Sequence, residues 1–253
     1  MDPGFRSPLV DFFRRGDVAR DVRLTAAQGA LAPRAHEQLA LLLILSDDPE
    51  PAIAASALAT LDALPLAPLR AFIARSDVPQ AMRDFFAARG VQPGDAPLAD
   101  ASDPLTDNTG ELPAVPEDEE EKSSQVLSTL PIIDRMKLGM KGSRAQRAVL
   151  VRDSNKLVAA AVLSSPKLTE TEVEGFAKMA NVSEDVLRII SMNRAWIKNY
   201  GVISSLTRNP KTPPAISMQL VQRLNQRDVK MLAMDRNVPE ALRLCARKFI
   251  VKT

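Results

Sequence analysis

LTRNPKTPPAIS, residues 206–217, joins the end of one apolar helical segment to the start of another through a polar turn that contains proline. The same form occurs in VLSSPKLTETEV at 162–173 and in LAMDRNVPEALR at 232–243. Proline suits the first position of a helix, because its missing N–H would have no partner inside the helix. The stretch therefore predicts short helices in series, separated by tight turns.

The start of each of these helices has a recognisable signal. Thr169-x-x-Glu172 has the form of a capping box, and Thr212 and Asn237 are candidate N-caps. Three residues are expected to open the matching helices, at spacings of 44 and 26 residues: Thr169, Pro213 and Pro239. The spacing of 44 leaves room for a further helical segment, NVSEDVLRIIS at 181–191.

The first part of the chain follows the same style. SDDPEPAIAASALATL at 46–61 and SDVPQAMRDFFA at 76–87 both begin with a polar turn and proline. Apolar residues recur at steps of three and four, and aromatic residues make up only 4% of the chain, which favours helices over sheets. Short helix pairs that cannot bury their apolar faces alone predict an all-α protein, an α-solenoid of stacked HEAT-like pairs.

Charge divides the chain into three parts. Residues 1–91 are nearly neutral, 92–121 carry ten acidic and no basic residues, and 122–253 carry 23 basic against ten acidic residues. All eleven lysines lie from Lys122 onward. The acidic segment is rich in Pro and Asp, so we expect it to bury too little apolar area to offset the entropy of ordering. The predicted parts are an N-terminal helical-repeat domain at 1–91, a disordered acidic linker at 92–122 and a basic helical-repeat domain at 123–253.

The motif NPKTP followed by RDVKMLAMDRNVP resembles the leucine-rich repeat variant and related HEAT-like helical repeats. Over about residues 135–250 the chain also looks like a bacterial family of helical-repeat proteins to which no biochemical activity is assigned. The resemblance implies the fold and almost nothing about function. Some leucine-rich repeat variant proteins carry an iron–sulfur cluster on a cysteine-rich extension. This chain has one cysteine, so we predict no cofactor.

Residues suited to catalysis are few. Cys245 lies in an apolar helical pattern and is expected to be a small core residue, and His36 is expected to be structural or exposed. The carboxylate pairs Glu172/Glu174 and Glu184/Asp185 fall in first turns of predicted helices, where acids favour the helix dipole. No Gly-rich phosphate loop is present. We therefore predict neither an enzyme nor a metal site.

The only tryptophan and the only tyrosine lie four residues apart in NRAWIKNYGVISSLTR at 193–208. If this segment is one helix, Trp196 and Tyr200 share an apolar face that fills the seam between helix pairs, or one of them contacts a ligand. Arg194, Lys198 and Arg208 then lie on the opposite, basic face. We favour the basic face as the binding surface.

Basic residues recur at helical spacing on other segments of the C-terminal part. The candidate surface combines the basic face with the aromatic pair: Arg152, Lys156, Arg194, Trp196, Lys198, Tyr200, Arg208, Arg227 and Lys230. The first hypothesis is a non-enzymatic scaffold or adaptor that holds a protein or peptide. The second is nucleic-acid binding through the cations. In a third, acidic Glu117–Glu121 folds back over the basic part and competes with its ligand.

Localisation follows from weaker signals. The N-terminus lacks the pattern of a secretory signal, and the longest apolar run, LALLLIL at 39–45, is too short to span a bilayer. We expect a soluble cytoplasmic protein with no membrane or small-molecule partner.

Overall fold

The computed structural model describes residues 2–31, 33–115 and 120–252, and within them it contains α-helices, one short 3-10 helix at Trp196–Lys198 and no strand. This confirms the predicted all-α class. In chain order the helices are α1 (Pro8–Arg15), α2 (Arg20–Ala27), α3 (Ala35–Leu45), α4 (Pro51–Asp62), α5 (Leu66–Ile73), α6 (Gln80–Ala88), α7 (Glu120–Thr129), α8 (Ile132–Lys141), α9 (Arg144–Leu150), α10 (Lys156–Leu163), α11 (Glu170–Lys178), α12 (Glu184–Met192), α13 (Tyr200–Arg208), α14 (Pro214–Val221), α15 (Gln226–Met234) and α16 (Glu240–Lys252).

The helices group into two compact units. Unit 1 comprises Met1–Arg147 and Ala160–Lys167, and unit 2 comprises Ala148–Ala159 and Leu168–Thr253. This grouping differs from boundaries at 91 and 122, because the helices that follow residue 122 up to Arg147 join the N-terminal helices in unit 1.

The core of unit 1 is built around α3. Its sequence, AHEQLALLLIL, is apolar on almost every face, and nearly all of its residues are buried. A helix without a polar face must be surrounded, and α1, α2 and α4 all contact it.

The predicted structural role of His36 is confirmed: its ring lies 5.2 Å from that of Phe5 and 4.7 Å from that of Phe72. Burial lowers the pKa of His36 more than Asp77 raises it.

The predicted linker is not confirmed as disordered. Residues 92–115 form no helix or strand, but several of them hydrogen bond to helices of unit 1, and Ala101 and Thr109 are buried. Composition underestimates how ordered this segment is, because its backbone groups hydrogen bond to residues of helices that are distant in sequence. The run at 116–119 lies outside the described residues.

Unit 2 repeats one helical element. Helices α11, α12, α13 and α15 each have nine residues. Each begins after a polar side chain that accepts a backbone N–H of the first turn, namely Thr169, Ser183, Asn199 and Asn225. Each ends at a residue of extended conformation ten positions later, namely Met179, Asn193, Asn209 and Asp235. Side chains that compete with the helix for backbone groups therefore mark the start of all four helices, and the end of all of them except α11, which ends at Met179.

The predicted helix starts are only partly right. The capping box at Thr169 and Glu172 is present, and α14 begins directly after Pro213. The prediction of Thr212 as an N-cap is wrong, because Pro213 occupies that position and the Thr212 hydroxyl is buried without a hydrogen-bond partner among the described residues. Asn237 was also expected to cap a helix, but α16 begins three residues later at Glu240.

Two further features complete the fold. Cys245 is only half-buried, so its prediction as a core residue holds in part. Among the described residues, no single helix has the length and apolar character needed to cross a membrane. Taken together, α4 and α5 pass that test by length and composition, but the pair is bent by 91°.

Candidate interaction surface

Trp196 and Tyr200 do not share a helix, which corrects the predicted apolar stripe. After α12, the Asn193 carboxamide oxygen accepts the N–H of Ala195, and a single 3-10 turn carries half-buried Trp196. The Asn199 carboxamide oxygen then accepts the N–H of Gly201 at 2.8 Å and starts α13. Two asparagines thus stop and restart the helix, because their short side chains hydrogen bond to nearby backbone.

Tyr200 is exposed at the first position of α13, so it does not fill a seam between helices. Its hydroxyl donates to the carboxylate of Asp228 and accepts the N–H of Asn225 at 3.2 Å. Desolvation and the hydrogen bond to Asp228 raise the pKa of Tyr200. Deeper in α13, Ile203 and Thr207 are buried.

Asp228 joins two of the predicted residues. Its second carboxylate oxygen accepts a hydrogen bond from Arg208, so Tyr200 and Arg208 on α13 are both tied to α15. Sequence analysis missed Asp228 because one acid within a basic helix carries no signal of its own. Arg208 is therefore paired, and its charge is partly neutralised.

A groove of about 420 Å³ lies over α13. Small side chains on the half-exposed side of this helix, Gly201 and Ser204, leave the space open, and Arg208 lies at the same groove. The other side of the groove carries Glu174 and Lys178, which form an ion pair at 2.5 Å. The groove presents paired charges and no free one, so charge does not select a ligand for it.

The remaining predicted cations differ in how free they are. Lys156 pairs with Asp185 at 2.7 Å, and Arg152 donates to the carbonyl of Ala148 at 3.0 Å, so both are committed to local structure. Four others are exposed and have no ion-pair partner among the described residues: Arg194, Lys198, Arg227 and Lys230.

Two of the free cations share the outer face of α15 with two methionines. Counted from Arg227, the other three residues lie three, four and seven positions further on, which places all four on one face of the helix: Arg227, Lys230, Met231 and Met234. Met231 is 48% exposed and Met234 is 73% exposed, although large apolar side chains are usually buried. Sequence analysis found the cations but not the methionines, because apolar residues at helical spacing normally indicate the core.

A second opening adjoins this face. A pocket of about 360 Å³ lies between α15 and the end of α16, and Lys230 lines it together with apolar side chains of both helices and of the turn before α15: Leu224, Val229, Phe249 and Ile250. Lys230 therefore belongs to both the pocket and the outer face of α15. We call the outer face of α15 and this pocket the α15 surface.

Exposed apolar residues concentrate in unit 2. Of the seven large apolar side chains that are exposed among the described residues, only Leu66 belongs to unit 1. The others are Met192, Tyr200, Met231, Met234, Leu244 and Ile250. Exposed apolar side chains next to unpaired cations can hold a chain that is both acidic and apolar.

Three of the four paired carboxylates lie in first turns as expected, but Glu174 lies beyond the first turn of α11. Glu172 completes the capping box of α11, Glu174 pairs with Lys178, and Glu184 pairs with Arg188. Among the described residues, no group of three His, Cys, Asp or Glu side chains could hold a metal ion. The predicted contact of Glu117–Glu121 with the basic part cannot be placed, because residues 116–119 and the side chains of 120 and 121 lie outside the described ones.

Comparison with protein-family models, with curated protein sequences and with solved structures finds no match for this chain.

Proposed function

We propose that this protein is a non-enzymatic interaction module, a scaffold or adaptor that holds an acidic, partly apolar segment of a partner protein on the α15 surface. The observation that carries the proposal is the outer face of α15, where Arg227 and Lys230 are unpaired and Met231 and Met234 are exposed. Methionine adapts its shape to different partners, which suits it to binding surfaces. Cations beside it favour a partner of opposite charge.

The architecture of unit 2 supports a helical-repeat surface of the kind that the sequence resembles. Helix α11 contacts α13, and α14 contacts α16. Lys156 at the start of α10 pairs with Asp185 of α12, and α13 is tied to α15 through Asp228. Contacts between every second helix are expected when short helices stack in two layers. We propose that unit 2 is such a solenoid, whose stacked helices present extended surfaces to a partner.

Nucleic-acid binding is the second candidate. Residues 193–253 carry twelve basic and three acidic residues, an excess that attracts phosphates. Stacking on bases needs accessible aromatic rings. Here Trp196 is half-buried, so Tyr200 is the one exposed aromatic ring among the described residues of this segment, and its hydroxyl is held by Asp228. The exposed methionines therefore favour a protein partner.

The test is affinity capture with the full chain as bait, with and without nuclease, at low and high salt. We expect a protein to be retained after nuclease treatment and to be lost when the bait carries Met231→Glu and Met234→Glu. Leu66→Glu, which changes an exposed apolar residue of unit 1, is the matched control and should retain the protein. Loss of all bound material after nuclease would favour the second candidate. If the protein is retained by the bait that carries both methionine substitutions, the α15 surface is not its binding site.

A further inference from the structure

Residues 92–109 lie against helices of their own unit, unit 1, as a bound peptide would, and we call the surface that they cover the groove. Their inward positions recur at steps of three or four residues and include buried Ala101 and Thr109. Their acids are all exposed: Asp95, Asp100, Asp103 and Asp107. We call residues 92–109 the strap.

The first part of the strap binds the end of α5. The N–H of Gly94 donates to the carbonyl of Arg70 at 2.9 Å, and the N–H of Leu98 donates to the carbonyl of Ala71 at 2.8 Å. In return, Arg75 donates to the carbonyl of Leu98 at 2.7 Å. The last carbonyls of a helix have no partner within it. The strap supplies such a donor to the carbonyl of Ala71, whereas the carbonyl of Arg70 also accepts the N–H of Ala74.

The second part is held by one buried amide. Gln38, on α3, is 1% exposed, and its side-chain oxygen accepts the N–H of Leu105 at 2.7 Å and that of Thr106 at 3.2 Å. Its side-chain nitrogen donates to the carbonyl of Thr106 at 2.5 Å. All three bonds go to backbone atoms at a bend of the strap, so Gln38 recognises the course of the backbone and not particular side chains.

The end of the strap is held by an ion pair. The Lys141 ammonium lies 2.6 Å from both carboxylate oxygens of Asp107. The side chain of Asn108 then donates to the carbonyl of Gln28, just past the end of α2. The site therefore requires a backbone without helix that bends at the position of Leu105 and carries an acid two residues later.

We propose that this groove of unit 1 is a binding site for an extended, acidic, proline-containing peptide, and that the strap occupies it in cis until such a segment of a partner protein displaces it. Backbone hydrogen bonds contribute about 1 kcal/mol each, and any extended peptide can form them. Few strap side chains are buried, so little apolar contact favours the strap over a competitor. Its advantage is the effective concentration that the covalent connection gives it.

The experiment uses a fluorescent peptide with the sequence of residues 92–110 and measures its binding to the full chain by anisotropy. Leu98→Pro with Leu105→Pro removes two strap N–H groups that donate to Ala71 and Gln38, and both positions already follow a proline. Asp107→Lys is a second strap variant, which opposes Lys141 and leaves the apolar positions unchanged. Hydrogen exchange of the strap amides reports release of the strap, and circular dichroism checks that the helices persist.

We expect protected strap amides and no measurable peptide binding in the wild-type chain. In the strap variants the amides should exchange faster, and the peptide should bind at least about tenfold more tightly. Adding Lys141→Ala to the proline variant, or replacing the aspartate that corresponds to Asp107 in the peptide, should weaken binding about fivefold. The matched peptide change at Asp103, whose carboxylate is exposed, should have no effect.

Two results would overturn the proposal. One is fast exchange of strap amides in the wild-type chain, because the strap would then not occupy the groove. The other is a folded variant whose strap is released but which does not bind the peptide, because the groove would then accept only a covalently connected segment.

Discussion

Glu37 illustrates how burial changes the chemistry of a single residue. It lies in the first turn of α3 and is 2% exposed, and its Oε2 has no hydrogen-bond partner among the described residues. The guanidinium of Arg34 is 3.9 Å from its other carboxylate oxygen. Burial raises the pKa of Glu37 to about 7, because desolvation outweighs the attraction of Arg34. The sequence gives no hint of this, since acids in a first turn are normally exposed.

The first prediction concerns pH. A carboxyl whose pKa is about 7 in the folded state and about 4.3 unfolded contributes stability that is complete below pH 4 and is lost as the pH rises through 7. The loss is on the order of 4 kcal/mol in the free energy of unfolding. Glu37→Gln keeps a neutral side chain, so the variant should be more stable than the wild type at pH 8.

Urea denaturation at pH 5 and pH 8 measures this difference. Glu111→Gln, at an exposed position, serves as the control and should follow the wild type. If the wild type and Glu37→Gln lose the same stability between the two pH values, Glu37 does not have the raised pKa assigned to it.

At the scale of elements, the nine-residue helices of unit 2 depend on side chains that end them. Asn209 closes α13, and its oxygen accepts the N–H of Lys211 at 3.0 Å. Its nitrogen donates to the carbonyls of Ala177 and Met179, at 2.8 and 2.9 Å, where α11 ends. One buried carboxamide thus finishes two helices and fixes their separation. In the sequence, the turn RNPKTP marks the boundary between two helices. In the structure, its Asn209 also links α13 to α11.

The second prediction follows from this role. Asn209→Asp removes both donors and buries a charge, so it should lower the free energy of unfolding by on the order of 3 kcal/mol. Asn237→Asp makes the same chemical change at an exposed turn position and should have little effect. Thermal and urea denaturation of both variants at neutral pH test the comparison. Similar stability of the two variants would show that the bonds to α11 contribute little.

At the scale of the whole molecule, net charge conceals an uneven distribution. The chain carries a formal net charge of only +2, while residues 193–253 alone have nine more basic than acidic residues. Some of those cations are paired, as Arg208 is, but Arg194, Lys198, Arg227 and Lys230 are not. A local excess of this kind governs encounters with charged partners more than the net charge does.

The third prediction is that the full chain binds a cation-exchange resin at pH 7.5 more strongly than its net charge implies. Arg227→Glu with Lys230→Glu should lower the salt concentration at which it elutes. Arg89→Glu with Arg144→Glu changes the net charge equally at exposed positions of unit 1 and should lower it less. Equal shifts for the two pairs would contradict a localised basic surface.

The sequence by itself determined the helical class, the turns with proline and the capping box at Thr169, because these depend on interactions within a few residues. It also placed Arg227 and Lys230 on one helix face. Only the tertiary structure decided that Tyr200 and Arg208 share Asp228, that the strap lies on Gln38 and that Glu37 is buried. Each of these facts depends on a partner distant in sequence. A local pattern states what a residue can bond to, and the fold decides which of those partners lies within reach.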